Sequence, residues 1–477
     1  MGGEAGRRVC REVWSAGSCS PCPTVSERPA PVFHRVRRDT HWLAEAARTN
    51  LWLMPTSMTL AATGLFALTR AVDSAAYYRH WHLPLWVIAG SADGARQILT
   101  TLAAALITVV GVVFSIILVA LTLTSTQFGP RMLRNFIRDR GTQCTLGAFV
   151  ATFVYAMLDL VAIGPGPYGD FVPHVSITLV LALTLADVGV LIYFIHHVAV
   201  MIQLPQVIAS IAKDLNDAVV GDAQPRRAGA GSGLARPESE ARFLEDLMGR
   251  VGRVVATPES GYLQYVRRSM LVSLAVQHEA VIRLHHRPGH FVVRGQPFLT
   301  VWPATAAPEV ERWLRRAHVT GPYRTLSQDV AFAVDQLVEI ALRALSPAVN
   351  DTFTALTCID WLGESLCRIT AEWDPDPLCR DERGLVRLIT APVSYEGLVE
   401  RAFEKVRQAA AGMPAVLIRQ LDALALIARA TRRGDRLPVL VAQAAMISRL
   451  ADASVAEPAD LADIGRAYRE FLDSSGG

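Results

Sequence analysis

Two carboxylates stand inside long apolar runs of this sequence. Asp187 lies near the middle of HVSITLVLALTLADVGVLIYFIHH, and Asp159 lies toward the end of CTLGAFVATFVYAMLDLVAI. Were these runs to sit in hydrocarbon, each carboxylate would cost about 2.5–3.5 kcal/mol unless paired, hydrated or protonated. Asp187 therefore reads as a functional position, or else as a tolerated polar contact between helices. A third run carries hydroxyls at Thr101, Thr108, Ser115 and Thr122. A spacing of seven drifts only about 20° per step around a helix, and Ala104, Ala105 and Gly111 fall near the same stripe. Such a stripe reads as a close helix-packing seam or as the hydrophilic lining of a conduction path. With Asp187 it makes one candidate polar path.

A second candidate site lies in RTLSQDVAFAVDQLVEIALRALSPAVNDTFTALTCIDWL. The pattern predicts a largely buried helix over 327–345. Its polar residues Gln328, Asp329, Asp335, Gln336, Glu339 and Arg343 share about 120° of arc. Glu339 and Arg343 stand in the favourable i, i+4 order. Pro347 ends this helix, and Ser346 or Asn350–Asp351 would cap the next, over 352–369. One reading is a capped helix hairpin with a buried ion pair. The other is a ligand or ion site on which Arg324, Asp329, Glu339, Arg343, Ser346, Asn350 and Asp351 converge.

Other groups carry less. His278, His285, His286 and His290 cluster with Glu279, but strand alternation puts His285 and His286 on opposite faces, and metal ligands must converge. Solvated turn and strand histidines are the simpler reading, and no metal site is assigned. Cys19 and Cys22 form a CxxC with no second pair. There is no nucleophile elbow, no phosphate-cradling glycine loop and no HExxH. No catalytic residue or cofactor is assigned; a membrane enzyme using the His cluster or the Asp329 and Asp351 carboxylates is the less favoured reading.

The elements that must position these groups are apolar. The 477 residues are 51% hydrophobic, and the 47 basic and 44 acidic residues nearly cancel, so charge gives no argument for nucleic acid. Lysine occurs only at Lys213 and Lys405, the mark of a GC-rich bacterial genome. Four stretches reach the length of about 20 apolar residues that crosses a bilayer: 50–71, 98–123, 144–163 and 174–196. The segment before them holds eight arginines (Arg7, Arg8, Arg11, Arg28, Arg35, Arg37, Arg38 and Arg48). The three connections hold Arg79 and Arg96, then Arg131, Arg134, Arg138 and Arg140, then none. The positive-inside bias therefore predicts cytoplasmic N- and C-termini. Trp81 and Trp86 suit an interfacial anchor on the outer side. Arg131, Arg134 and Arg138 share one face of the amphipathic collar QFGPRMLRNFIRDR. They read as lipid-headgroup contacts or as plain positive-inside anchoring.

The fold class expected is a membrane α-helical region of four transmembrane helices, followed by an α+β cytoplasmic domain. The divisions are a disordered cytoplasmic tail (1–49), a four-helix transmembrane domain (50–200) and a juxtamembrane helix and linker (201–242). Behind them come a small β-sandwich-like module (243–305) and a mainly helical remainder (306–477). In the β module SGYLQYV, MLVSLAVQ, AVIRLHH and FVVRGQPFLTVW read as strands, and RPGHFVVRGQP reads as a hairpin resembling the turns of biotinyl and lipoyl domains. No lysine near it could carry a swinging cofactor.

Several of these texts occur together in one family. GVVFSIILVALTLTSTQFGPRMLRNFIRDR, YFIHHVAVMIQ, GYLQYV, RPGHFVVRGQPF and RTLSQDVAFAVDQLVEIALRALSPAVNDTFTA resemble the bacterial predicted membrane proteins of domain of unknown function 2254. The likeness covers about residues 50–470. It departs at SPAVNDT, where Ala348 and Thr352 stand in place of a Gly and a Pro. The resemblance implies a multi-pass protein of the bacterial inner membrane and implies no activity. The polar residues favour a homo-oligomeric channel or transporter with a cytoplasmic regulatory domain. The alternative is a non-catalytic, membrane-anchored envelope or ligand-sensing protein. The bilayer is the expected partner, and the small ligand or ion is not specified.

Overall fold

The computed structural model describes residues 52–79, 91–128, 139–167, 169–222 and 237–476. Residues 1–49 with Cys19 and Cys22, and Trp81, Trp86, Arg131, Arg134 and Arg138, lie outside the described residues. The described residues all belong to one compact unit, Thr40–Gly477.

Four long helices come first: α1 (Leu53–Arg79), α2 (Ala92–Phe128), α3 (Arg140–Ala162) and α4 (His174–Met201). Three are long and apolar enough to cross a membrane: α2 over Ala92–Leu123, α3 and α4. α1 has 27 residues, about 40 Å at 1.5 Å per residue, but is less apolar and carries Arg70 and Asp73. α3 packs against α1, α2 and α4 and is the most buried of the three apolar helices. Gly147 lets α1 approach α3, since a Cβ there would meet Met58 Sδ at 2.6 Å. The connection from α3 to α4 is a short hairpin, β1 (Gly164–Gly166) with β2 (Gly169–Phe171).

α5 (Leu204–Asp222) follows α4 after a two-residue break. Its buried residues Val207, Ile208, Ile211, Ala212, Leu215 and Val219 recur at the helical period. They enter the largest core of the protein. That core unites α5 with α9 (Val330–Ala344), α10 (Thr352–Glu372), α11 (Tyr395–Ala409), α12 (Pro414–Ala430), α13 (Leu437–Ser454) and α14 (Pro458–Ser474). A helix continuous with the apolar region is thus a structural member of the helical domain.

Between α5 and α9 the chain forms α6 (Pro237–Val251), β3 (Arg253–Ala256), β4 (Gly261–Val266), α7 (Arg268–Gln277), β5 (Val281–Leu284), β6 (Phe291–Val292), β7 (Pro297–Trp302), α8 (Ala307–Ala317) and β8 (His318–Gly321). β9 (Leu378–Arg380) and β10 (Val386–Ile389) lie between α10 and α11. One sheet has the order β3-β7-β5-β10-β9 and the other β6-β4-β8. Every pairing is antiparallel except β5 with β10. One core, including Leu263, Ile282, Phe298 and Leu388, joins both sheets with α7 and α8. α6 and Met248 cover part of the larger sheet against Leu378 and Ile389.

Two strand readings change. MLVSLAVQ is the helix α7, with Leu271, Leu274 and Ala275 buried at helical spacing; a short apolar run does not distinguish the two periods. The sheets also extend beyond residue 305, because β8, β9 and β10 complete them. The register Leu388↔Ile282 is a parallel pairing between distant segments, which no local pattern announces.

Candidate functional site

α3 carries a row of buried polar residues. Thr142, Thr145, Thr152 and Asp159 are all at or below 5% exposure, at spacings of three, seven and seven that keep them on one face. Tyr155, fully buried, lies beside them. From Thr142 to Asp159 the face runs about 26 Å, close to the thickness of a hydrocarbon core of about 30 Å.

The ends of this face are polar knots. At one end Asp73 of α1 reaches the start of α4. Its Oδ1 accepts from the Val175 amide at 2.8 Å, and its Oδ2 accepts from the Ser176 amide at 3.0 Å and the Ser176 hydroxyl at 2.7 Å. The hydroxyls of Tyr155 and Thr69 are 2.7 Å apart. Asp159 adjoins Ser176 and Asp73, but the Ser176 hydroxyl hydrogen is already given to Asp73. Neither Asp159 oxygen has a hydrogen-bond partner, and the residue is 0% exposed. At the other end Asp139 Oδ2 caps α3 through the Thr142 amide at 2.6 Å and lies 2.9 Å from His197 Nε2. Asp139 and the FIHH segment therefore meet in space, and His197 stacks on Tyr193.

Asp187 is buried on α4 and faces Thr152 of α3, with its Oδ2 unpartnered. The α2 hydroxyls lie elsewhere. Thr101, Thr108, Ser115 and Thr122 are exposed, and three of them donate to their own helix: Thr101 to Gln97 O, Thr108 to Ala104 O and Thr122 to Val119 O, each at 2.8 Å. Thr108, Gly111 and Ser115 line an open groove of about 450 Å³ on that face. The structure does not join the stripe to Asp187. A seven-residue repeat fixes a face but not what the face meets.

The second candidate site separates into the two ends of α9, which are about 22 Å apart. At the far end Ser346 Oγ donates to Arg343 O at 2.7 Å. Asp351 caps α10 through the Thr354 amide at 3.1 Å and the Thr354 hydroxyl at 2.6 Å. Asn350, at φ 50°, forms the turn. Glu339 lies along α9 between the ends, and Arg343 stands in its last turn. The residues here do what a capped turn requires.

The near end is denser. Arg324 holds Asp329 Oδ2 through Nε at 2.8 Å and Nη2 at 2.7 Å, and holds Asp335 Oδ2 through Nη1 at 2.6 Å. Arg401 of α11 donates to both Asp335 oxygens at 2.8 Å. Asp329 also caps α9 at the Phe332 amide, at 3.1 Å, and the Arg324 guanidinium lies over the Phe332 ring. Burial opposes the charge on Arg324, but Asp329 and Asp335 outweigh it and hold its pKa above the usual range. Three sequence segments meet around this network. Gln264 of GYLQYV donates to Tyr323 O at 2.8 Å, and Gln328 of RTLSQD accepts from the Val266 amide at 2.9 Å. Gly289 of RPGH, at φ +94°, presses so close to Asp329 that a Cβ would overlap the carboxylate. Arg287 and His290 of the same turn feel the charges of Arg324 and Arg401.

Of these groups, Arg324 and Asp329 were legible in the sequence. Arg287 and Arg401 were not, because they come from a turn and from a separate amphipathic helix. Two other histidines are engaged separately: His285 Nε2 with Thr300 Oγ1 at 2.8 Å and His286 Nε2 with Pro297 O at 3.1 Å. Among the described residues no group of three or more His, Cys, Asp or Glu could hold a metal ion.

Long apolar helices with buried carboxylates, joined to a folded α+β region, define a membrane protein. Residues 48–426 match the family model described as "Predicted membrane protein (DUF2254)", and the chain belongs to that family. It is 30% identical over 381 residues to an uncharacterized protein of Mycobacterium tuberculosis (strain ATCC 25618 / H37Rv), covering 78% of this chain and 71% of the relative. An uncharacterized protein of Mycobacterium bovis (strain ATCC BAA-935 / AF2122/97) matches with the same values. No solved structure matches the chain.

Proposed function

We propose that this protein is a channel or transporter of the bacterial inner membrane that passes protons or small cations along the buried face of α3. The observation that carries this reading is Asp159, wholly buried with both oxygens unpartnered. A carboxylate so placed needs a proton, a cation or water to be tolerated. Asp187 opposite Thr152 adds a second such station farther along α3, and the Asp139–His197 pair stands at the other end. The arginine distribution supports four spans with cytoplasmic termini, α1 being the fourth, and the shared core of α5 supports a regulatory role for the helical domain. The exposed hydroxyl stripe of α2 fits a contact between copies better than a path.

The test is flux in proteoliposomes containing the purified protein, followed with a pH-sensitive dye under imposed proton, sodium and potassium gradients. Asp159→Asn and Asp187→Asn are expected to lower flux at least about tenfold, whereas Thr108→Val leaves it unchanged. No flux in the parent protein removes the proposal. Reporter fusions to both termini test the topology, and disulfide crosslinking of Ser115→Cys tests the α2 contact.

A further inference from the structure

The seam between the RPGH turn, the RTLSQD loop and α11 holds three guanidiniums and two carboxylates. Both carboxylates are committed. Asp329 is 2% exposed and bound by Arg324, and Asp335 is shared by Arg324 and Arg401. Arg287 is half-buried, and its guanidinium has no hydrogen-bond or ion-pair partner among the described residues. Asp329 acts on it as an opposing charge, set against burial, Arg401 and Arg324. Arg401 also keeps a buried, unpartnered Nε. His290 adds no positive charge at pH 7, because burial and the neighbouring Arg287 push it down to about 4. The seam thus carries one positive charge in excess, with donors on two arginines unfilled.

Unpaired guanidinium so desolvated is costly, and a guanidinium fork matches the oxygens of a phosphate. Arg324 is held rigid by Asp329, Asp335 and the Phe332 ring, and Arg287 feels the charge of both Arg324 and Arg401. We propose that Arg287 and Arg401, backed by Arg324, bind the phosphate group of a small anion at this seam. The seam lies at the N-terminus of α9, whose core is shared with α5. The proposal does not depend on transport through the apolar helices.

The experiment uses the full-length protein in uncharged detergent. Inorganic phosphate is titrated calorimetrically and by thermal unfolding, with chloride at matched ionic strength as the control. Phosphate is expected to raise the unfolding temperature saturably where chloride does not. Arg287→Gln leaves both Asp335 ion pairs in place and is expected to weaken phosphate binding by about tenfold or more. Arg287→Lys is expected to fall between, because an ammonium lacks the fork. A parallel arm replaces phosphate with phosphatidylglycerol in the micelle. Stabilisation there alone, lost in Arg287→Gln, assigns the bound phosphate to a lipid headgroup. The proposal is overturned if neither phosphate nor phosphatidylglycerol acts beyond chloride, or if Arg287→Gln responds as the parent does.

Discussion

Asp73 of α1 and Ser176 of α4 are joined twice, through the Ser176 amide at 3.0 Å and its hydroxyl at 2.7 Å, both to Asp73 Oδ2. The first amides of a helix have no partner within it, and here another helix supplies one. Asp73→Ala leaves the Val175 and Ser176 amides unsatisfied in a buried place. The expected loss is about 1–3 kcal/mol, read as a lower unfolding temperature in detergent. Asp73→Asn keeps one acceptor oxygen and should lose less. An unchanged unfolding temperature for the alanine variant would show that this closure contributes nothing.

Arg436 is 6% exposed and ends α10. Its Nη1 donates to Ile369 O at 3.1 Å and Thr370 O at 2.7 Å, its Nη2 donates to Trp373 O at 2.6 Å, and it lies over the Tyr395 ring. Arg436→Met fills part of the space but strands the Thr370 and Trp373 carbonyls, while Ile369 O keeps the Trp373 amide at 3.0 Å. A loss of about 3 kcal/mol is expected, with Arg436→Lys intermediate because one ammonium cannot span all three. Denaturant titration of the full chain, followed by tryptophan fluorescence, measures both.

Gly289 combines φ +94° with contact against Asp329. Gly289→Ala meets strain from the backbone and displaces the carboxylate that holds Arg324. A loss of about 2 kcal/mol is expected, detected as a lower unfolding temperature. A stabilised alanine variant would mean that the turn relaxes freely.

His290 makes stability depend on pH. Its pKa falls from 6.5 to about 4 on folding, through burial and the adjacent Arg287. Between these values the unfolded chain binds the extra proton, so this contribution is complete above pH 6.5 and is lost as pH falls toward 4. His285 is lowered as well, by burial and Arg283, so the slope is not due to His290 alone. His290→Asn is expected to flatten the decline in unfolding temperature between about pH 6.5 and pH 4. A variant with the parent's slope would place the titration elsewhere.

The apolar region was readable because lipid-length runs are a local property: the stretches read over 98–123 and 174–196 fall within α2 and α4, and 144–163 follows α3 to its C-cap at Ile163. The cap at Asp351 was equally local, three residues from the amide it accepts. The hydroxyls of α2 show the limit. Their periodicity was correct as a stripe, yet Asp187 turns toward Thr152 of α3, and Asp73, which no motif marked, closes α4.

By itself the sequence determined the apolar helices, the arginine asymmetry between their connections, the hairpin of α9 and α10, and the family to which the chain belongs. These follow from composition and from periods of a few residues. Only the tertiary structure decided that α3 is the central polar helix, that β10 pairs with β5, and that Arg287, Arg324 and Arg401 share one seam. Those facts depend on which faces of distant segments bury one another, and that choice is made by the whole core.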